Sequence, residues 1–96
     1  MRISNDTAAI IRDTAAELLG GQVRLFGSRL DDAARGGDID LYLETELPVE
    51  EAEALRLRMV ARLARRLGDR KIDLVVKTRD GELPIHTIAR REGRVL

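Results

Sequence analysis

The sequence predicts an α/β (α+β) domain, a small mixed sheet whose helices cover its apolar face, and three observations predict it. Two segments, DIDLYL (38–43) and KIDLVV (71–76), alternate apolar and polar residues with the period of a half-buried strand. Two others, 4–21 and 48–68, repeat apolar residues at helical spacing and end in glycine. The segments also alternate along the chain, in the order helix, strand, strand, helix, strand, helix, which calls for a crossover onto a shared sheet.

In SNDTAAIIRDTAAELLGG, Ser4 or Asp6 can cap a first helix whose apolar side is Ile11, Ala15, Leu18 and Leu19, and Gly20-Gly21 stops it. QVRLF (22–26) is a short strand with Val23 and Leu25 on one face. In DIDLYL, Ile39, Leu41 and Leu43 face one way while Asp38, Asp40 and Tyr42 face the other. The connection from Gly27 to Gly37 is too short for a parallel crossover, so these two strands are expected to run antiparallel. Pro48 opens the longest helix, ended by Gly68, with Ala52, Leu55, Met59, Leu63 and Leu67 as its apolar stripe, widened by Val60 and Ala64. Glu50, Glu51 and Glu53 in its first turns and Arg62, Arg65 and Arg66 in its last suit the helix dipole. That helix should carry the chain by a right-handed crossover to KIDLVV, where Ile72, Leu74 and Val76 share a face and Asp73 takes the opposite one. RDGE is a turn, Pro84 starts a last short helix to about residue 92, and Gly93 precedes RVL.

Ninety-six residues make one domain, 1–96, and with no cysteine its core depends on packing alone. Aromatics are only 2%, leaving no set of stacking platforms, and the formal net charge is zero. Both facts argue against direct nucleic-acid binding. No apolar run approaches membrane-spanning length and the N-terminal residues lack a signal-peptide core, so a cytoplasmic protein without membrane contact is expected.

Aspartate is a poor strand former, yet it recurs on both aspartate-bearing strands. If those strands are neighbours, Asp38, Asp40 and Asp73 converge on one patch of sheet, where they repel one another unless a cation intervenes. Mg²⁺, a hard ion that takes one or two carboxylates and completes its shell with water and phosphates, is the simplest remedy. Ahead of them, Gly27 permits a close turn, the following N–H groups and the Ser28 hydroxyl can donate to phosphate oxygens, and Arg29 can assist.

Phe26-Gly27-Ser28, then Asp38-x-Asp40 on a strand, then Asp73 on a later strand, resembles the nucleotidyltransferase fold of the DNA polymerase β superfamily. The resemblance runs from Leu25 to Val76, and the length narrows it to the minimal nucleotidyltransferases (MNT), which lack an appended helical domain. One departure is the loop RLDDAARGG, which lacks the usual Pro-Asp-Ser before the first metal aspartate. The resemblance implies a Mg²⁺-dependent enzyme using ATP, with two Mg²⁺ ions bridged by Asp38 and Asp40. Asp73 would hold the catalytic ion and orient or deprotonate the acceptor, and Gly27, Ser28 and Arg29 would hold the departing pyrophosphate. It further implies an antitoxin that transfers AMP to a tyrosine of a small all-helical HEPN-type toxin, as a homo- or hetero-oligomer.

Plainer readings attach to the remaining charged residues. Asp31 and Asp32 read as loop or helix-start acids, Asp80 as a turn residue, and Arg56, Arg58, Arg62, Arg65 and Arg66 as a solvated helix face. His86 reads as a surface residue of the last helix, and Tyr42 either borders a nucleotide or packs. The segment LPIHTIARREGRVL offers a docking element, because Ile85, Ile88, Val95 and Leu96 exceed what the core is expected to bury. That element would dock the partner that brings the acceptor hydroxyl, and an alternative of another class is a non-catalytic module that neutralises a helical partner by occlusion, its nucleotide site residual or merely structural.

Overall fold

The computed structural model describes residues 3–26, 39–68, 70–79, 81 and 83–96. Among them run α1 (Asn5–Leu18), β1 (Val23–Phe26), β2 (Ile39–Glu44), α2 (Val49–Leu67), β3 (Ile72–Lys77), α3 (Pro84–Glu92) and β4 (Arg94–Val95). The strands form one mixed sheet in the order β3-β2-β1-β4. As expected, β1 and β2 are antiparallel, and α2 returns the chain so that β3 lies parallel to β2.

Helix boundaries follow local chemistry. Ser4 caps α1, its Oγ accepting a hydrogen bond from the Thr7 N–H at 3.0 Å. After α1 the chain passes Gly20 and Gly21 at φ +72° and +80°, and after α2 Gly68 takes φ +81°, values that glycine adopts without the Cβ penalty.

Ile11 and Ala15 of α1 and Met59 and Leu63 of α2 pack on Val23, Leu25, Ile39, Leu41, Leu43 and Leu74, and all of these are buried. The sheet register explains why one face suffices for this core. Leu25 pairs with Leu41 and Leu41 with Leu74, while Val23 pairs with Leu43 and Leu43 with Val76. Paired residues point to the same side, so across β1, β2 and β3 each of these rows is apolar, and only at the β4 edge does Arg94 follow Leu25. Polar bonds join the two helices over it. The Glu17 carboxylate accepts from Arg62 and Arg66 at 3.0 and 3.2 Å, and buried Thr14 accepts from Arg66 and donates to the Ile10 carbonyl, both at 2.7 Å.

Three features depart from the sequence reading. The helices do not all lie on one face: α3 packs on the aspartate side, where Phe26, Tyr42 and Ala89 are buried together with Val75 against them. The cause is visible in the register, since Phe26, Tyr42 and Val75 are apolar or aromatic side chains on the same side as Asp40 and need cover. His86 is accordingly buried rather than superficial, its ring centroid 5.9 Å from that of Tyr42 and its Nδ1 accepting from the Leu83 N–H at 2.9 Å. Lastly, the chain adds β4, antiparallel to β1, with the Leu96 N–H donating to the Val23 carbonyl at 2.9 Å. Leu96 therefore packs against the core instead of projecting as a docking residue, whereas Ile85, Ile88 and Val95 are exposed. Gly93 makes that return feasible, because a Cβ there would collide with the Ala89 carbonyl oxygen and crowd the Arg24 side chain.

Candidate functional site

Asp40 and Asp73 are register partners on adjacent parallel strands. Strands in a sheet lie roughly 4.8 Å apart, so the two carboxylates leave the sheet side by side on the same face. Asp73 is exposed and Asp40 half-buried. Like charges in register are a pairing that the apolar rows beside this one do not contain. Phe26 completes the row as the β1 partner of Asp40, with its ring in the small core under α3. Asp40 is thus anchored on one side by a buried aromatic and faces an open carboxylate on the other.

A cleft of about 470 Å³ wraps the outer edge of β3 at this point. Asp40, Asp73, Phe26 and Ile85 line it on the α3 side, and Arg56 and Val60 on the α2 side. The Arg56 guanidinium is engaged by Glu53, donating to both carboxylate oxygens at 2.9 and 2.6 Å. A second cavity of about 410 Å³ continues past the far end of β3 between Val49, Ala52, Val76, Thr78, Leu83 and His86, and Arg56 borders both. The carboxylates open onto the first cleft and not the second.

Of the expected site residues, Asp40 and Asp73 are brought together. Asp38, Gly27, Ser28 and Arg29 lie outside the described residues, as do Asp31, Asp32 and Asp80. The donor set that is described fits a hard divalent cation: two adjacent carboxylates, oxygen donors only, on a rigid sheet with open space above them. Among the described residues, which do not include Asp38, no group of three acidic, histidine or cysteine side chains is positioned for a metal.

Tyr42 packs rather than borders the cleft. It is fully buried, and its hydroxyl donates to Glu44 Oε2 at 2.6 Å, the same oxygen that accepts from Arg90 at 2.8 Å. These bonds hold the Glu44 carboxyl below its ordinary range, the Tyr42 bond contributing most and Arg90 next, and they tie α3 to the sheet. Sequence reading did not place Phe26, Ile85 and Arg56 at the cleft, having put Phe26 in the Phe-Gly-Ser motif, Ile85 in a docking element and Arg56 on a solvated helix face. The signal for two of them was available, since an apolar Phe26 and Val75 on the aspartate face imply a covering element, and α3 carries Ile85 at its start. No helix among the described residues is long and apolar enough to cross a membrane. No protein-family model matches this sequence, and comparison with curated proteins finds none similar to it.

Proposed function

We propose that this protein is a Mg²⁺-dependent nucleotidyltransferase that moves AMP from ATP to a hydroxyl of a partner protein, acting in the cytoplasm as the antitoxin to a small helical HEPN-type toxin. The observation that carries the reading is the pairing of Asp40 with Asp73, a like-charge row on an otherwise well-matched sheet, beside a cleft. It agrees with the resemblance of the Gly27-Ser28, Asp38-x-Asp40 and Asp73 pattern to the minimal nucleotidyltransferases.

Asp38, Asp40 and Asp73 would hold Mg²⁺, which when bound would supply charge neutralisation at the transferring phosphate. Gly27, Ser28 and Arg29 would bind the triphosphate. Asp73, the more exposed carboxylate, orients the acceptor hydroxyl and takes up its proton. The acceptor oxygen forms a bond to the α-phosphorus, the bond from that phosphorus to the bridging oxygen breaks, and pyrophosphate leaves with the bonding pair. Positioning of the two reactants supplies most of the rate in such a scheme.

Thermal melting tests the reading. Mg²⁺ and ATP together should raise the melting temperature in a concentration-dependent manner, and Asp40→Asn should abolish the shift. A wild-type melting curve unmoved by saturating Mg-ATP would overturn it. Occlusion without chemistry is the second reading, favoured by the exposed Leu83, Ile85, Ile88 and Val95. It predicts that Asp40→Asn still silences an unmodified partner.

A further inference from the structure

The outer edge of β3 carries a set of backbone groups with a definite chemistry. The Ile39 N–H donates to the Lys71 carbonyl at 2.8 Å and the Thr45 N–H to the Lys77 carbonyl at 2.9 Å. Alternate residues of a strand turn their N–H and C=O groups to opposite sides, so residues 71, 73, 75 and 77 bond toward β2. Ile72, Leu74 and Val76 therefore direct three N–H and three C=O groups away from the sheet. Among the described residues β3 is an end strand, and none supplies these six groups with a partner. The two cavities lie along this same edge, rimmed by α2 on one side and by Leu83 and Ile85 on the other.

We infer that the β3 edge receives an extended segment of a partner polypeptide as an added strand, with the residue opposite Asp73 presenting its hydroxyl to the Asp40–Asp73 pair. Backbone groups repeating at strand spacing are matched by another strand and by little else. Side chains opposite Ile72, Leu74 and Val76 turn toward the apolar rim formed by α2, and those opposite Asp73 and Val75 turn toward the carboxylates. Lys71 and Lys77 flank the edge, Lys77 opposite Glu44 of β2, and their charges favour acidic residues at the ends of the segment. The same lysines oppose a second copy of this chain. In an antiparallel pair of β3 strands centred on Leu74, Lys71 of each copy faces Lys77 of the other, twice over. Charges on an edge strand also guard it against indiscriminate pairing, which leaves it to a complementary segment.

The placement of the hydroxyl rests on the transferase reading, and the strand site does not, so one experiment can separate them. The probe is the capped peptide Glu-Val-Tyr-Val-Tyr-Val-Glu, whose symmetry sets a tyrosine opposite Asp73 in either strand direction. At millimolar peptide, amide hydrogen exchange of the full chain should slow by about tenfold or more at Ile72, Leu74 and Val76. The amides of Asp73 and Val75, already directed at β2, should change little. The peptide N-methylated at every valine and tyrosine, and so blocked in either strand direction, should protect nothing, and Lys71→Glu with Lys77→Glu should weaken protection by the parent peptide. No protection at the three amides, or equal protection by the methylated peptide, would overturn the strand site. Slow exchange at those amides without peptide, deepening with protein concentration, would assign the edge to a second copy and overturn it as well. Adding Mg-ATP should raise the peptide mass by one AMP. Alternating protection without that increment supports the strand site and rejects nucleotidyl transfer.

Discussion

The two faces of the sheet are built to opposite specifications. Under α1 and α2 the rows across β1, β2 and β3 are apolar, and Ile11, Leu41, Met59 and Leu63 have no exposed surface. Under α3 the buried set shrinks to Phe26, Tyr42, His86 and Ala89, and the same rows carry Asp40, Asp73 and Arg24. A chain of 96 residues has apolar material to seal one face fully and the other in part. The difference assigns stability mainly to the first face and leaves the second free to hold groups that weaken the fold locally. Each face is also pinned by one carboxylate: Glu17 between α1 and α2 through Arg62 and Arg66, and Glu44 between the sheet and α3 through Tyr42 and Arg90.

The largest break in the comparison comes from the sealed face. Met59→Ala should cost about 2–5 kcal/mol, as truncation of a fully buried side chain without relaxation generally does. Domains of this kind total only about 5–15 kcal/mol, so urea unfolding should show either a much lower midpoint or no folded baseline. Tyr42→Phe tests the other face more gently. It keeps the ring in place and removes a hydrogen bond to a carboxylate that solvent partly screens, for an expected loss of roughly 0.5–1.5 kcal/mol. If the two variants destabilised equally, the division of labour between the faces would be wrong.

Asp73→Asn should move stability and activity in opposite directions. Removing one of two like charges in register should leave the urea midpoint unchanged or raise stability by a few tenths of a kcal/mol. AMP transfer to the partner, followed by intact mass, should be lost at the same time. A clear loss of stability would mean that Asp73 serves the fold, and normal turnover would remove it from the site.

Most of the sealed face was legible in the sequence because its signal is periodic. Alternation in DIDLYL and KIDLVV fixes which residues turn toward the helices, and the stripe from Ala52 to Leu67 fixes which helix face meets them. The α3 face was harder, since Phe26, Tyr42 and Val75 are spread over three strands with charged residues between them. Only the register, which sequence does not supply, assembles them into a small core. His86 was misread for the same reason, because its burial depends on Tyr42 lying beneath α3. A strand as short as β4 carries too few residues for any alternation to appear. The pairing of Asp40 with Asp73 was legible as a shared face, and Asp38, Gly27, Ser28 and Arg29 lie outside the described residues.

The finest distinction between the faces should appear in acid. Hydrogen bonds from Tyr42 and then Arg90 hold the Glu44 carboxyl below its ordinary value of 4.5. Bonds from Arg62 and Arg66 do the same for Glu17 on the other face. A carboxyl whose folded value is depressed binds its proton more weakly in the folded protein than in the unfolded chain. Its contribution is therefore complete above the ordinary value and is lost as the pH falls through the lower, folded one. Both groups are well exposed, so solvent screening keeps each contribution small. Urea midpoints measured from neutral pH down to about pH 3 should decline for the wild type, and Glu44→Gln and Glu17→Gln should each flatten part of that decline. The faces separate when Tyr42→Phe is added. It should flatten the acid slope in the wild-type background and leave it unchanged in Glu44→Gln, because Glu44 is the carboxylate that the tyrosine hydroxyl bonds. In Glu17→Gln it should flatten the slope as much as in the wild type, since the two carboxylates share no partner. If Tyr42→Phe altered the slope with Glu44 already replaced, the acid response of the α3 face would have another source, and the account of that carboxylate as its pin would fail.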